Sequence, residues 1–144
     1  LIKKIIEDAI FICRPKLNKF EIELEVNYSK DNIKMDCNSI QIFQVIVNLL
    51  HNSIDAISKL NDRWIKYDVG SDEGFVIIKV VDSGNGIDEE LVEKIFHSFF
   101  TTKQSSKGTG LGLFISKQIA EEHFGDLQYY KGENTTFILR IPAA

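Results

Sequence analysis

The sequence predicts an α+β domain in which helices cover one face of a mixed sheet. Apolar residues recur at helical spacing in three long stretches and alternate with polar residues in several shorter ones. The two kinds of stretch follow one another in the order αββαββααββ, with no internal repeat, low-complexity tract or linker. At 144 residues the chain is long enough to bury a core as a single domain over 1–144, without disulfide or metal staples.

Leu1 to about Arg14 carries Ile2, Ile5, Ile6, Ala9, Ile10 and Cys13 at helical spacing, and Pro15 is expected to end that helix. Phe20, Ile22, Leu24 and Val26 alternate with Glu21, Glu23, Glu25 and Asn27, which predicts a strand with one wet face. Ile33 to Asp36 predicts a short second strand. Asn38 or Ser39 is expected to cap a long helix running to about Leu60. Trp64–Val69 and Phe75–Val81 predict strands joined through Gly70-Ser71-Asp72-Glu73-Gly74. A short helix from Asp88 to Phe96 and a polar loop from Thr101 to Gly108 come next. A helix from Leu111 to His123, stopped by Gly125, and strands Leu127–Tyr130 and Thr135–Ile141 complete the order.

The composition, 44% hydrophobic and 26% charged, is ordinary for a soluble globular chain, and the net charge of −4 argues against a general nucleic-acid binder. Cys13 and Cys37 lack CxxC spacing and any nearby His cluster, so both are read as reduced packing residues of a cytoplasmic protein. No apolar run approaches the ~20 residues that cross a bilayer. The chain opens on Leu1 rather than an initiator methionine, so a fragment of a longer protein is expected. A membrane anchor elsewhere in that parent remains compatible with this reading.

Three segments carry chemistry. At ~100° per residue, Gln41, Gln44, Asn48, Asn52 and Asp55 fall in one narrow wedge of their helix. Ile42, Val45, Ile46, Leu49, Ser53, Ala56 and Ile57 cover most of the rest. The wedge is either a solvated stripe or the lining of a cavity. Asn and Asp are poor mid-helix choices, whereas their short oxygens suit a hard, water-retaining Mg²⁺ near phosphates.

Asp82 ends an apolar strand and precedes Ser83-Gly84-Asn85-Gly86-Ile87. A plain turn is one reading. In the other, Asp82 accepts a hydrogen bond from an adenine amino group, and Gly84 and Gly86 let the backbone approach a flat base. Gly108-Thr109-Gly110-Leu111-Gly112-Leu113 opens a helix, and its backbone N–H groups make an anion site. Neither GxGxxG after a strand nor GxxxxGK[ST] is present, so the phosphates need another geometry. Phe96, Phe99 and Phe100 read as core aromatics at the base of the loop. Lys103 and Lys107 are either solvated or swing onto phosphates when that loop closes.

Taken together, Asn48-Leu49-Leu50-His51-Asn52-Ser53-Ile54-Asp55-Ala56, Asp82–Gly86, Phe99-Phe100-Thr101-Thr102-Lys103 and Gly108–Leu113 resemble the Asn, first glycine, Phe and second glycine boxes of the ATP-binding domain of sensor histidine kinases. The resemblance extends over nearly the whole chain, including Thr135-Thr136-Phe137-Ile138-Leu139-Arg140-Ile141-Pro142. It implies the two-layer α/β sandwich of the Bergerat fold, with about five strands covered on one face by three helices. DNA gyrase, a heat-shock chaperone and a mismatch-repair ATPase share that fold.

The resemblance also implies roles. Asn52 would bind Mg²⁺, with Asn48 beside it in the catalytic site. Asp82 would read adenine, with Gly84, Gly86 and Ile87 shaping the pocket and Asp55 nearby. Thr101, Thr102, Lys103 and Lys107 would contribute from the loop, Gly108, Thr109, Gly110, Leu111, Gly112 and Leu113 would hold phosphates, and Thr136 would contact the nucleotide. The related ATPases carry a water-activating Glu one turn before the metal-binding Asn. Here that position is Asn48, whose amide cannot act as a general base. The expected activity is therefore phosphoryl transfer from Mg-ATP to a histidine. That histidine belongs to a dimerisation and phosphotransfer domain of the same protein, and a response regulator is the next partner. His51, His97 and His123 match no His-Glu-x-x-x-Pro acceptor motif, so the acceptor is expected on a preceding hairpin that runs into the Leu1–Arg14 helix. The isolated domain is then a monomer. The alternatives are an ATP-hydrolysing relative, an anti-sigma-type serine kinase and a non-catalytic docking domain.

Overall fold

A computed structural model describes residues 1–30, 32–98 and 111–144. The predicted site residues Thr101, Thr102, Lys103, Lys107, Gly108, Thr109 and Gly110, and the pair Phe99 and Phe100, lie outside the described residues.

Helix α1 spans Ile2–Lys19 and buries Ile2, Ile6, Ala9, Cys13 and Leu17 along one stripe. Pro15 does not end it, contrary to expectation, but sits inside it on the exposed side. There water can serve the carbonyl that the missing N–H leaves free. Fully burying Leu17 one half-turn later contributes about 2 kcal/mol toward continuing the helix. The helix stops at Phe20, and Glu21 turns the chain with φ 53. Strand β1, Glu23–Tyr28, consequently starts later than the alternation suggested. The second strand expected at 33–36 reduces to one bridge, Met35 to Ala143.

Helix α2 runs Ser39–Ile57, with Asn38 as its N-cap accepting from the Ile40 and Gln41 amides. Its 19 residues, with mean hydropathy 1.2, are by length and composition alone enough to cross a membrane, contrary to the expectation that no run approaches that length. Its apolar face instead packs into the core through Ile42, Val45, Ile46, Leu49, Leu50, Ile54 and Ile57, while Ala56 is exposed. Strands β2, Trp64–Asp72, and β3, Phe75–Asp82, form a hairpin tighter than predicted. Gly70, Ser71 and Asp72 stay in the ladder, and the turn is Glu73-Gly74, with φ 49 and 83. Two successive positive φ values match the twist of the flanking strands. Helix α3 is only Glu89–Val92, with turns continuing toward Phe96. Helix α4, Gly112–Glu122, precedes strands β4, Asp126–Tyr130, and β5, Thr136–Pro142.

The sheet order is β1-β2-β3-β5-β4, with β1 parallel to β2 and every other pair antiparallel. Helix α2 lies between α1 and α4. Alternate residues of the central strands meet this helical layer: Ile65, Tyr67 and Val69, then Val76, Ile78 and Val80, then Phe137, Leu139 and Ile141. Cys13 and Cys37 are free thiols.

Tyr67 is the exception in this core. Its hydroxyl is buried with no hydrogen-bond partner among the described residues. Tyr67→Phe is therefore expected to stabilise the fold by about 1 kcal/mol, raising the melting temperature by about 3 °C. A drop in calorimetric melting temperature would show that the hydroxyl is satisfied.

Candidate functional site

One end of the β3 strand meets α2 and β5, and the predicted adenine-reading residue stands there. Asp82 is 2% exposed. Its Oδ1 accepts the Gly84 amide at 2.8 Å. Burial pushes this carboxyl above the ordinary aspartate value, and the Gly84 amide and the Ser53 and Thr135 hydroxyls oppose the rise. A buried acid with surrounding donors, at the floor of a turn, is a natural acceptor for an exocyclic amine.

The turn beyond it is glycine for steric reasons. A Cβ on Gly84 would lie 2.8 Å from Asp82 Oδ1 and 2.9 Å from Thr135 Oγ1. Gly86 adopts φ +92, and its Cβ would meet the Tyr129 hydroxyl at 2.9 Å. The Gly86 amide donates to Thr135 Oγ1 at 3.0 Å and the Ile87 amide to Tyr129 Oη at 2.9 Å. Gly86 is exposed and Ile87 half-buried, so this pinned backbone forms an open rim above Asp82.

Asn48, Asn52 and Asp55 are all half-buried on α2. Asn48 Nδ2 donates to Ser116 Oγ at 3.3 Å and reaches the Gly112 carbonyl at 3.5 Å, so its amide nitrogen is committed to α4. Leu111 and Gly112 begin that helix, with Leu113 half-buried on its first turn. A Cβ on Gly112 would find only ordinary contacts with Asn48, the nearest at 3.9 Å, so no steric demand requires glycine there. Among the described residues no group of three or more His, Cys, Asp or Glu could cage a metal. This donor set fits a cation held mainly by phosphates and water, with an amide oxygen such as that of Asn52 as the protein's share.

The structure brings Thr135, not Thr136, to Asp82. Thr136 Oγ1 instead donates to the Asn134 carbonyl at 3.1 Å. The doubled threonine hid this choice, because the two residues face opposite sides and only the register of β5 tells them apart. The sequence by itself places Ser53 on the apolar face of α2 and gives Tyr129 no role. The alternation Leu127 in, Gln128 out, Tyr129 in was the available signal for the latter.

His123 is structural. Its Nε2 accepts the Asn38 amide at 3.0 Å and its Nδ1 lies 2.8 Å from the Ile119 carbonyl, tying the end of α4 to the start of α2. His97 is exposed and His51 half-buried on α2.

Residues 37–144 match the family described as histidine kinase-, DNA gyrase B-, and HSP90-like ATPase. The two-component sensor PprA of Pseudomonas aeruginosa is 35% identical over 144 residues, covering 96% of this chain and 16% of PprA. In general the chain spans about a fifth of the length of the curated relatives it matches. The solved catalytic domain of histidine kinase ThkA superposes with TM-score 0.86 at 32% identity, covering 98% of this chain and 93% of that one. A structure of ThkA with the response regulator TrrA also matches, with TM-score 0.83 at 29% identity, covering 99% of this chain and 40% of that one. With its five-stranded mixed sheet, three-helix layer and buried Asp82 beside a Gly-x-Gly turn, the chain belongs to the histidine kinase-, DNA gyrase B- and HSP90-like ATPase family, as an ATP-binding catalytic domain of the sensor histidine kinase kind.

Proposed function

We propose that this domain binds Mg-ATP and delivers its γ-phosphoryl group to a histidine on a dimerisation and phosphotransfer domain of the same protein. That phosphohistidine then serves an aspartate on a response regulator. Asn48 is the observation that carries transfer over hydrolysis. One turn before Asn52, where a water-activating carboxylate would stand, the side chain is an amide whose nitrogen is engaged by α4. It has no basic atom with which to take a proton from water. An acceptor imidazole brings its own nucleophilic nitrogen, so the site has only to hold and orient the nucleotide. The N–P bond forms as the bond from the γ-phosphorus to the β–γ bridging oxygen breaks, and ADP departs.

In this reading Asp82 takes the adenine amino group, Gly84, Gly86 and Ile87 shape the base pocket, and the first turn of α4 faces the phosphates. Asp55 lies on the same wedge as the Asn pair, and Thr101, Thr102, Lys103, Lys107 and Gly108–Gly110 complete the phosphate side. Mg²⁺, when bound, neutralises phosphate charge. The acceptor histidine belongs to a segment outside these residues, because His123 has both nitrogens occupied and neither His51 nor His97 lies in an acceptor motif. The need for ATP places the domain in the cytoplasm, with the isolated chain monomeric.

Calorimetric titration with ATP, with and without Mg²⁺, tests this reading. Saturable, metal-enhanced binding is expected. Asn52→Ala is expected to weaken Mg-ATP by about tenfold, while metal-free ATP is nearly unaffected. Equal losses in both conditions would remove Asn52 as the ligand. Sustained phosphate release by the isolated chain would favour an ATP-hydrolysing function.

A further inference from the structure

Three amides of the Gly84–Ile87 turn are held by side chains from three places. Gly84 N–H goes to Asp82, Gly86 N–H to Thr135 at 3.0 Å and Ile87 N–H to Tyr129 Oη at 2.9 Å. The third holder is independent of the other two. Asp82 Oδ1 and Thr135 Oγ1 both crowd the Cβ position of Gly84, whereas Tyr129 reaches the turn from the edge strand β4. Its hydroxyl lies 2.9 Å from where a Gly86 Cβ would be, against the bare side of the exposed glycine.

The ring that carries this hydroxyl is fixed by edge-to-face aromatic contacts. Tyr129 meets Phe137 with centroids 5.6 Å apart at 61°, and Phe137 meets Phe96 at 6.2 Å and 88°. The Lys117 ammonium sits 4.7 Å from the Phe96 centroid and also donates to the Leu127 carbonyl at 2.9 Å and to Asp126 at 3.3 Å. Core packing therefore sets the position of the hydroxyl, and the turn receives that position through one hydrogen bond.

We propose that Tyr129 is a positioning residue for the nucleobase, whose hydroxyl holds the Gly86–Ile87 backbone in the shape that accepts adenine. This rests on the nucleotide reading of the site. Gly86 has left-handed backbone geometry and no side chain to restrain it, so an unanchored turn samples many conformations. It must then be ordered each time a base binds, and affinity falls by the share of the competent shape.

Tyr129→Phe keeps the ring against Phe137 and removes only the hydroxyl. In the variant, ADP is expected to bind about tenfold more weakly, by the same factor with and without Mg²⁺, because the defect lies at the base end. Hydrogen exchange at the Ile87 amide should accelerate in the free variant, with the thermal midpoint lowered by no more than about 3 °C, the cost of one hydrogen bond. A merely structural hydroxyl would lower the midpoint and leave the affinity of the folded fraction intact, and that result overturns the proposal. So does unchanged ADP affinity in the variant alongside normal wild-type binding, or a loss seen only with Mg²⁺. A wild-type chain that binds no ADP would overturn the nucleotide reading, and this proposal with it.

Discussion

Asp82→Asn is expected to weaken ATP binding about 100-fold, roughly 3 kcal/mol, because a charged acceptor for the adenine amino group becomes a neutral amide. The same substitution should raise the melting temperature of the unliganded domain at neutral pH. Burial raises the Asp82 carboxyl above its ordinary value, against the pull of the Gly84 amide and the Ser53 and Thr135 hydroxyls. A carboxyl raised in the folded state contributes stability that is complete below its unfolded value of about 3.9 and is lost as pH rises through the folded value. Above that window the unliganded domain carries a buried carboxylate, which the amide removes while still accepting from Gly84 N–H and donating to either hydroxyl. The stability advantage of the variant should therefore shrink on acidification to about pH 4. Calorimetry for ATP affinity and thermal melts at both pH values check the two halves separately. A variant that binds ATP normally removes Asp82 as the base reader, and one that melts lower at neutral pH shows that the charge is better stabilised than its burial suggests.

Gly125→Ala is expected to cost about 4 kcal/mol or to prevent folding, an effect at the far end of single substitutions. An added Cβ would lie 1.8 Å from the Arg140 carbonyl oxygen and 2.9 Å from its carbon, both backbone atoms that cannot rotate away. Relief requires separating Asp126 from Arg140 in the β4–β5 ladder, or breaking the 2.9 Å bond from the Gly125 amide to the Ala120 carbonyl that closes α4. Gly132→Ala is the control, since its nearest neighbour would be Asn134 O at 3.8 Å. Denaturant unfolding of both variants decides the matter, and a Gly125→Ala loss below about 1 kcal/mol would mean that the ladder gives way easily.

Gly125 also shows how a residue can be recognised for the wrong reason. The sequence suggested a glycine stop, yet the left-handed residue after α4 is Phe124, at φ 62. Gly125 is needed for close approach to a strand that lies 15 positions onward in sequence. Pro15 is similar, because its local preference to end a helix loses to the burial of Leu17 across the domain. The strand expected at 33–36 had the right residues but found only one bridging partner.

The order of helices and strands, the apolar face of α2, the acid at the end of β3 and the Gly-x-Gly turn were all legible in the sequence, because each depends on spacing within one segment. The fold class followed from those periodicities, and the resemblance of four motifs pointed to the nucleotide. Tertiary structure alone decided which threonine meets Asp82, that Ser53 leaves the apolar set to join it, that Asn48 is tied to α4 and that Tyr129 holds the turn. Each of these is a contact between segments 29 to 68 residues apart. Periodicity assigns a residue to a face, whereas strand register and helix packing decide which distant atom that face meets.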